Sequence, residues 1–242
     1  MSNQYRIAAT IMAPTIPEMV ARGIQAIKEG ADLPEFRIDS LNLNQVLLEG
    51  GRANFLGLTR LTREFKGDAI YTNRHKNEAP PGSGQGFKGT ERQRVEILQE
   101  LANLNVRYLD IEHKIFPGER RSFKTDPTKT LLIRSYHNFL ETPNINILEN
   151  IFYDMTLSFE SDIVKIATMA KKEEDVQNIM QLIDKHSYSH GLIAIAMGEM
   201  GKETRFDGPV RGTYLTYGCL EGMSAAPAMP TIKELRQYYA KK

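Results

Sequence analysis

The stretch "SDIVKIATMAKKEED" (Ser161–Asp175) decides how the chain is read. Ile163-Val164-Lys165-Ile166-Ala167 is short, apolar and rich in β-branched residues. Asp162 bounds it on one side and a polar, helix-forming stretch on the other, so it reads as a buried strand followed by a helix. One residue does not fit a packing role. A lysine in the middle of a buried strand is unusual. Burial disfavours the charged form of a lysine and leaves a nucleophilic amine. The alternative is a lysine that reaches solvent or pairs with a carboxylate.

The same alternation extends in both directions. Strand-like runs occur at 6–12, 34–39, 68–73, 107–112, 130–136, 162–168, 191–197 and 213–218, and helical patterns such as 17–30, 90–104 and 171–186 separate them. Eight strands alternating with helices predict an α/β fold, a (β/α)8 TIM barrel, as one domain over residues 1–242. A doubly wound open sheet is the runner-up, but no G-x-G-x-x-G follows the first strand. The Pro- and Gly-rich segment 77–89 follows the third strand. It is expected to form a mobile loop at the barrel mouth that closes together with segment 224–230.

Composition narrows the function classes. Of 242 residues, 41% are hydrophobic and 25% charged, and the formal net charge is +1. Nothing in this balance calls for nucleic acid or an anionic membrane as partner. Cys219 is the single cysteine, which excludes an internal disulfide. Residues 1–12 pass into a strand without a secretory leader pattern, and no apolar run reaches membrane-spanning length. A cytoplasmic protein is expected.

Residues two apart on a strand share a face. Glu35, Arg37 and Asp39 therefore point one way, opposite Phe36 and Ile38. Parity also pairs Thr72 with Arg74, Asp110 with Glu112, and Ser135 with His137, and puts Lys165 on the face of Ile163 and Ala167. Charges aimed inward from five strands are foreign to a barrel interior, which branched apolar residues normally fill. They form either an ion-pair network or an active site. Metal binding is disfavoured because cations accompany the carboxylates and no H-x-H or H-E-x-x-H pattern occurs. His186 and His190 fall at the opposite barrel face and are expected to be solvated. Cys219 is expected to be packed and inert. A buried amine beside an imidazole suits carbonyl substrates: the amine condenses to a Schiff base and the imidazole moves protons at the adjacent carbon.

The segments "EFRID" (35–39), "YTNR" (71–74), "LDIE" (109–112), "SYHNF" (135–139), "VKIATMA" (164–170), "AMGEMGKETR" (196–205), "LTYG" (215–218) and "SAAP" (224–227) occur in the order and at the strand positions of type I 3-dehydroquinate dehydratases. The chain resembles that family over nearly its whole length. The resemblance implies a lyase that dehydrates 3-dehydroquinate to 3-dehydroshikimate in the shikimate pathway, with no cofactor and no metal, as a homodimer. It implies that Lys165 condenses with the C3 ketone and that His137 is the general acid/base. Glu35, Arg37 and Arg74 would bind substrate, and Arg205 would grip its carboxylate. Thr10, Phe139, Met197 and Tyr217 would line the pocket, and Glu78 would partner His137. Ser224 would touch substrate from a lid. The family's lid glutamine is missing here, and Ala228 or Met229 stands in its place. The competing readings are another class I aldolase-like Schiff-base lyase and an inactive barrel used as a binding protein.

Overall fold

Eight strands run parallel: β1 (Ile7–Ile11), β2 (Leu33–Arg37), β3 (Ile70–Thr72), β4 (Tyr108–Glu112), β5 (Leu131–Asn138), β6 (Ile163–Met169), β7 (Gly191–Met197) and β8 (Thr216–Gly218). Neighbours in sequence are neighbours in the sheet from β1 through β7, and β8 pairs with β1. The remaining seam, between β7 and β8, is bridged where Tyr214 N–H donates to the Leu192 carbonyl at 2.7 Å. The result is a (β/α)8 barrel. The computed structural model describes residues 5–65, 67–113, 125–126, 128–157 and 161–242. Residues 1–4 of the opening stretch lie outside the described residues.

Alternation along each strand builds two layers of core. In β6, Ile163 and Ala167 point into the barrel, where they join Ala8, Leu33, Ile70, Ile133 and Ile193. Val164 and Ile166 point outward and pack with Phe152, Ile179 and Leu182 of the helix layer. Lys165 therefore points inward, as parity required. The helix Glu173–His186 that follows carries acids in its first turn and basic residues in its last, which suits the helix dipole. Asp175 caps its start by accepting from Lys171 N–H at 2.7 Å and Lys172 N–H at 3.2 Å. Thr90 and Gln93 form a reciprocal capping box at the start of the helix Glu91–Asn103.

Seven of the eight strands differ in their ends from those read in the sequence. β2 ends at Arg37, and Ile38–Ser40 is a 3-10 turn. The Asp39 carboxylate folds back onto Arg37, accepting from its Nε and Nη2 at 2.8 Å each, and this local chelate ends the extended run. β3 and β8 are only three residues long. The expectation for His186 is corrected. It is 7% exposed, and its ring stacks on Phe152 with centroids 4.3 Å apart. The helices Ile145–Leu157 and Glu173–His186 pack together there and trap it. His190 is half-buried, edge-on to the same ring. Cys219 is buried, with its thiol toward the Met229 and Pro230 carbonyls. Among the described residues, no helix is long and apolar enough to cross a membrane.

Candidate active site

A cavity opens where the carboxyl ends of the strands converge, the face on which (β/α)8 barrels carry chemistry. Thr10, Glu35, Arg37, Arg74, Glu78, His137, Phe139, Lys165, Met197, Arg205 and Tyr217 all line it. Each of these was expected from the sequence. Ser224 is the exception: it is exposed, and its hydroxyl turns back to the Ala226 carbonyl at 2.7 Å. Ala228 takes a left-handed conformation (φ 51°), and the turn presents Ala225, Ala226 and Met229 to the cavity instead. Of residues 228 and 229, Met229 is the one that lines the cavity.

Lys165 is 5% exposed. Its Nζ donates to Glu35 Oε1 and Asp110 Oδ2, both at 3.1 Å, and lies 4.1 Å from the centroid of the Tyr217 ring. Glu35, Asp110, Lys165 and Tyr217 come from β2, β4, β6 and β8. They form one of the layers of four that alternate strands contribute to such barrels. The strand around the amine is apolar, but the layer it meets is not. Any cation formed on this nitrogen faces two carboxylates.

Those carboxylates are held in turn. Thr10 and Thr72 hydroxyls donate to Glu35 at 2.9 and 3.0 Å, and Ser135 Oγ donates to Asp110 at 2.6 Å. Burial on its own would raise both carboxyl groups. For Glu35 the charges of Lys165, Arg37 and Arg74 together outweigh it, and for Asp110 those of Arg74 and Lys165 with the Ser135 hydrogen bond do, so both are held below the usual carboxylate range. Arg74 Nη1 donates to Glu112 Oε1 at 3.2 Å and to Ser135 Oγ at 3.1 Å, and its Nη2 reaches Asp110 at 3.5 Å.

His137 Nδ1 lies 3.3 Å from Glu78 Oε2, and the ring stacks on Phe139. Glu78 arrives on the 3-10 turn Lys76–Glu78, part of the loop after β3, so the loop supplies a buried carboxylate to the site. Burial first, then the charges of Arg74 and Lys165, hold His137 well below the usual imidazole range. The ring is a neutral base at working pH. Its depressed value has a consequence for stability. Below about pH 6.5 the unfolded chain takes a proton at this position that the folded protein refuses, so stability falls as pH drops through that value. Ring resonances of His137 should stay at their neutral positions as pH falls through the ordinary imidazole value. A midpoint near 6.5 in an NMR titration would contradict the burial argument.

Arg205, in the helix Thr204–Val210, is 2% exposed and has no ion-pair partner among the described residues. Its Nε lacks a hydrogen-bond partner, and burial brings the guanidinium down to about 10. A buried cation left unpaired at a cavity wall is a site for an anion. Among the described residues, no three His, Cys, Asp or Glu side chains converge as metal ligands. The sequence reading counted Asp110 among the inward acids but did not connect it with Lys165. It missed Ala225 and Ala226 altogether, because nothing local marks an alanine as a cavity wall.

Fold and site together define a (β/α)8 barrel with a buried amine, a neutral imidazole and an unpaired guanidinium around one cavity. The family model "Type I 3-dehydroquinase" matches residues 7–241. A 3-dehydroquinate dehydratase of Coxiella burnetii is 30% identical over 239 residues, covering 99% of this chain and 94% of the relative. One of Methanococcus maripaludis is 34% identical over 236 residues, covering 94% and 97%. The crystal structure of a type I 3-dehydroquinate dehydratase from Clostridium difficile shares the fold with a TM-score of 0.83 at 21% identity, covering 98% of this chain and 92% of that one. The chain belongs to the type I 3-dehydroquinase family.

Proposed function

We propose that Lys165 and His137 carry out the dehydration of 3-dehydroquinate to 3-dehydroshikimate, the shikimate-pathway reaction of the family to which the chain belongs. The Lys165 amine adds to the C3 ketone, and loss of water from the resulting carbinolamine gives an iminium. Its positive nitrogen meets the Glu35 and Asp110 carboxylates, each 3.1 Å from Nζ, and it accepts the electron pair released when a C2 proton leaves. His137 takes that proton on the nitrogen not engaged by Glu78. The resulting enamine expels the C1 hydroxyl, which the imidazolium protonates, and hydrolysis of the imine frees product and amine. One imidazole thus serves both half-steps, since it starts neutral and ends neutral.

The observation that carries this reading is the buried layer of Glu35, Asp110, Lys165 and Tyr217 beside a neutral imidazole. Borohydride trapping with 3-dehydroquinate, followed by mass mapping, tests it. A reduced adduct is expected on Lys165, and an adduct on Lys171, Lys172 or another lysine overturns the assignment. Another Schiff-base lyase would share the lysine but would not need Arg205 for a ring carboxylate. An inactive barrel would form no adduct at all.

Arg205 is read as the carboxylate anchor, and Arg37, Arg74 and Glu35 as contacts for the substrate's oxygens. A charge-assisted hydrogen bond contributes about 1.5–3 kcal/mol. Arg205→Met is therefore expected to raise KM roughly 10- to 100-fold. Because it removes an unpaired buried charge, the thermal midpoint should hold or rise. Unchanged KM and kcat/KM would take Arg205 out of the site. A cytoplasmic homodimer is the setting this reading implies, and light scattering in solution checks the stoichiometry.

A further inference from the structure

Among the described residues Arg94 is the largest side chain buried to this degree, at 1% exposure, yet it stands on the helix Glu91–Asn103, outside the barrel and away from the cavity around Lys165. Burial of a guanidinium needs compensation, and here each of its three nitrogens donates. Nε and Nη2 form a fork on Glu91 at 2.7 and 2.6 Å. Nη1 donates to the Asn73 carbonyl at 2.8 Å and to Glu112 Oε2 at 2.7 Å. Glu112 is inward on β4, and its other oxygen, Oε1, accepts from Arg74 Nη1 at 3.2 Å and from the His75 N–H at 2.7 Å. The guanidinium of Arg74 then reaches Asp110 at 3.5 Å, and Asp110 holds the amine of Lys165. An unbroken chain of charged contacts runs from the helix surface to the nucleophile, alternating in sign: Glu91, Arg94, Glu112, Arg74, Asp110, Lys165.

We propose that Arg94 is a positioning residue for the Schiff-base step: it takes up one oxygen of Glu112, so that Arg74 is left to share its charge with Asp110 and the Asp110 charge does not fall on the Lys165 amine alone. This rests on the reading of Lys165 as nucleophile. Without Arg94, Glu112 is a buried carboxylate with one oxygen unpaired. Arg74 moves toward it, and the contact with Asp110, already the longest of the chain, is the first to break. Asp110 is then left to Ser135 and Lys165, and the ammonium form of the lysine gains at the expense of the free amine. The other charged and titratable groups that line the cavity with the amine are not touched by this substitution: Glu35 and Arg37 from β2, Glu78 from the loop after β3, His137 from β5, Tyr217 from β8, and Arg205 from the helix Thr204–Val210.

The test follows the pH dependence of single-turnover imine formation, quenched with borohydride, in the parent, Arg94→Met, Arg94→Lys and Glu91→Gln. In Arg94→Met the acidic limb should move to higher pH by about half to one unit, with adduct formation at neutral pH slowed roughly 3- to 30-fold. Arg94→Lys keeps a charge against Glu112 and should return the limb toward the parent position. Glu91 is only partly buried, so Glu91→Gln should fold and shift the limb in the same direction by less. It decides the matter if Arg94→Met does not fold. A purely structural role would lower the thermal midpoint and leave the limb in place, and a folded variant with the parent's limb overturns the proposal. A parent protein that forms no adduct on Lys165 would instead overturn the underlying reading of the nucleophile.

Discussion

Lys165→Met is expected to give no borohydride-trapped adduct and to lose roughly 10⁵-fold or more in kcat/KM, the scale on which a covalent nucleophile is missed. Among the described residues no other lysine lines the cavity to substitute for it. The substitution also removes the cation between Glu35 and Asp110. Two carboxylates then share a buried layer, and breaking such a pair by removing one partner costs about 3–5 kcal/mol. In the parent both carboxyls are depressed, so their contribution to stability is present above the ordinary carboxylate range and is lost as pH falls. In the variant one of them is pushed upward, and its penalty grows as pH rises through the new value. The difference in thermal midpoint between variant and parent should therefore narrow on acidification. A gap that stayed constant from pH 5 to pH 8 would mean that the lysine does not hold these carboxylates in solution.

His137→Ala separates the two chemical roles. The amine on β6 and its carboxylates remain, so the imine should still form on Lys165. Proton removal from C2 then lacks its base, and the step should slow by about 10²–10⁴-fold, the usual contribution of a positioned acid/base. The imine would accumulate, and intact-mass measurement of the variant with 3-dehydroquinate should find a covalent species without reductant. Turnover at the parent rate would remove His137 from proton transfer. Glu78 and Phe139 keep the ring in place in the parent, and neither is altered by the substitution.

These two residues were legible in the sequence for different reasons. Lys165 interrupts an apolar β-branched run, and local composition alone makes that anomalous. His137 becomes informative through parity with Ser135 and through the "SYHNF" segment. Neither required knowledge of a contact. His186 shows the opposite case. Its place at a helix end suggested a solvated ring, but the helix Ile145–Leu157 covers it with Phe152, and which helix lies over a given turn is not encoded near that turn. Ser224 was assigned from a lid motif, and the left-handed turn at Ala228 gave the cavity to Met229 instead.

What the sequence determined by itself is whatever has a short period: eight strands, the inward face of five of them, and the presence of charges where a barrel interior should be apolar. Alternation on a strand is a property of neighbouring residues, so it can be read along the chain. Which charges meet was decided only by the closed barrel. Glu35, Asp110 and Lys165 are 130 and 55 residues from one another along the two ion pairs, and they come together because closure stacks the inward side chains of alternate strands in one layer. The link from Arg94 to Glu112 depends further on how the helix Glu91–Asn103 seats against the sheet, and the loop after β3 must fold over before Glu78 can reach His137. Those are distances in space between elements remote in sequence, set by strand tilt and helix packing rather than by any pattern a single segment carries.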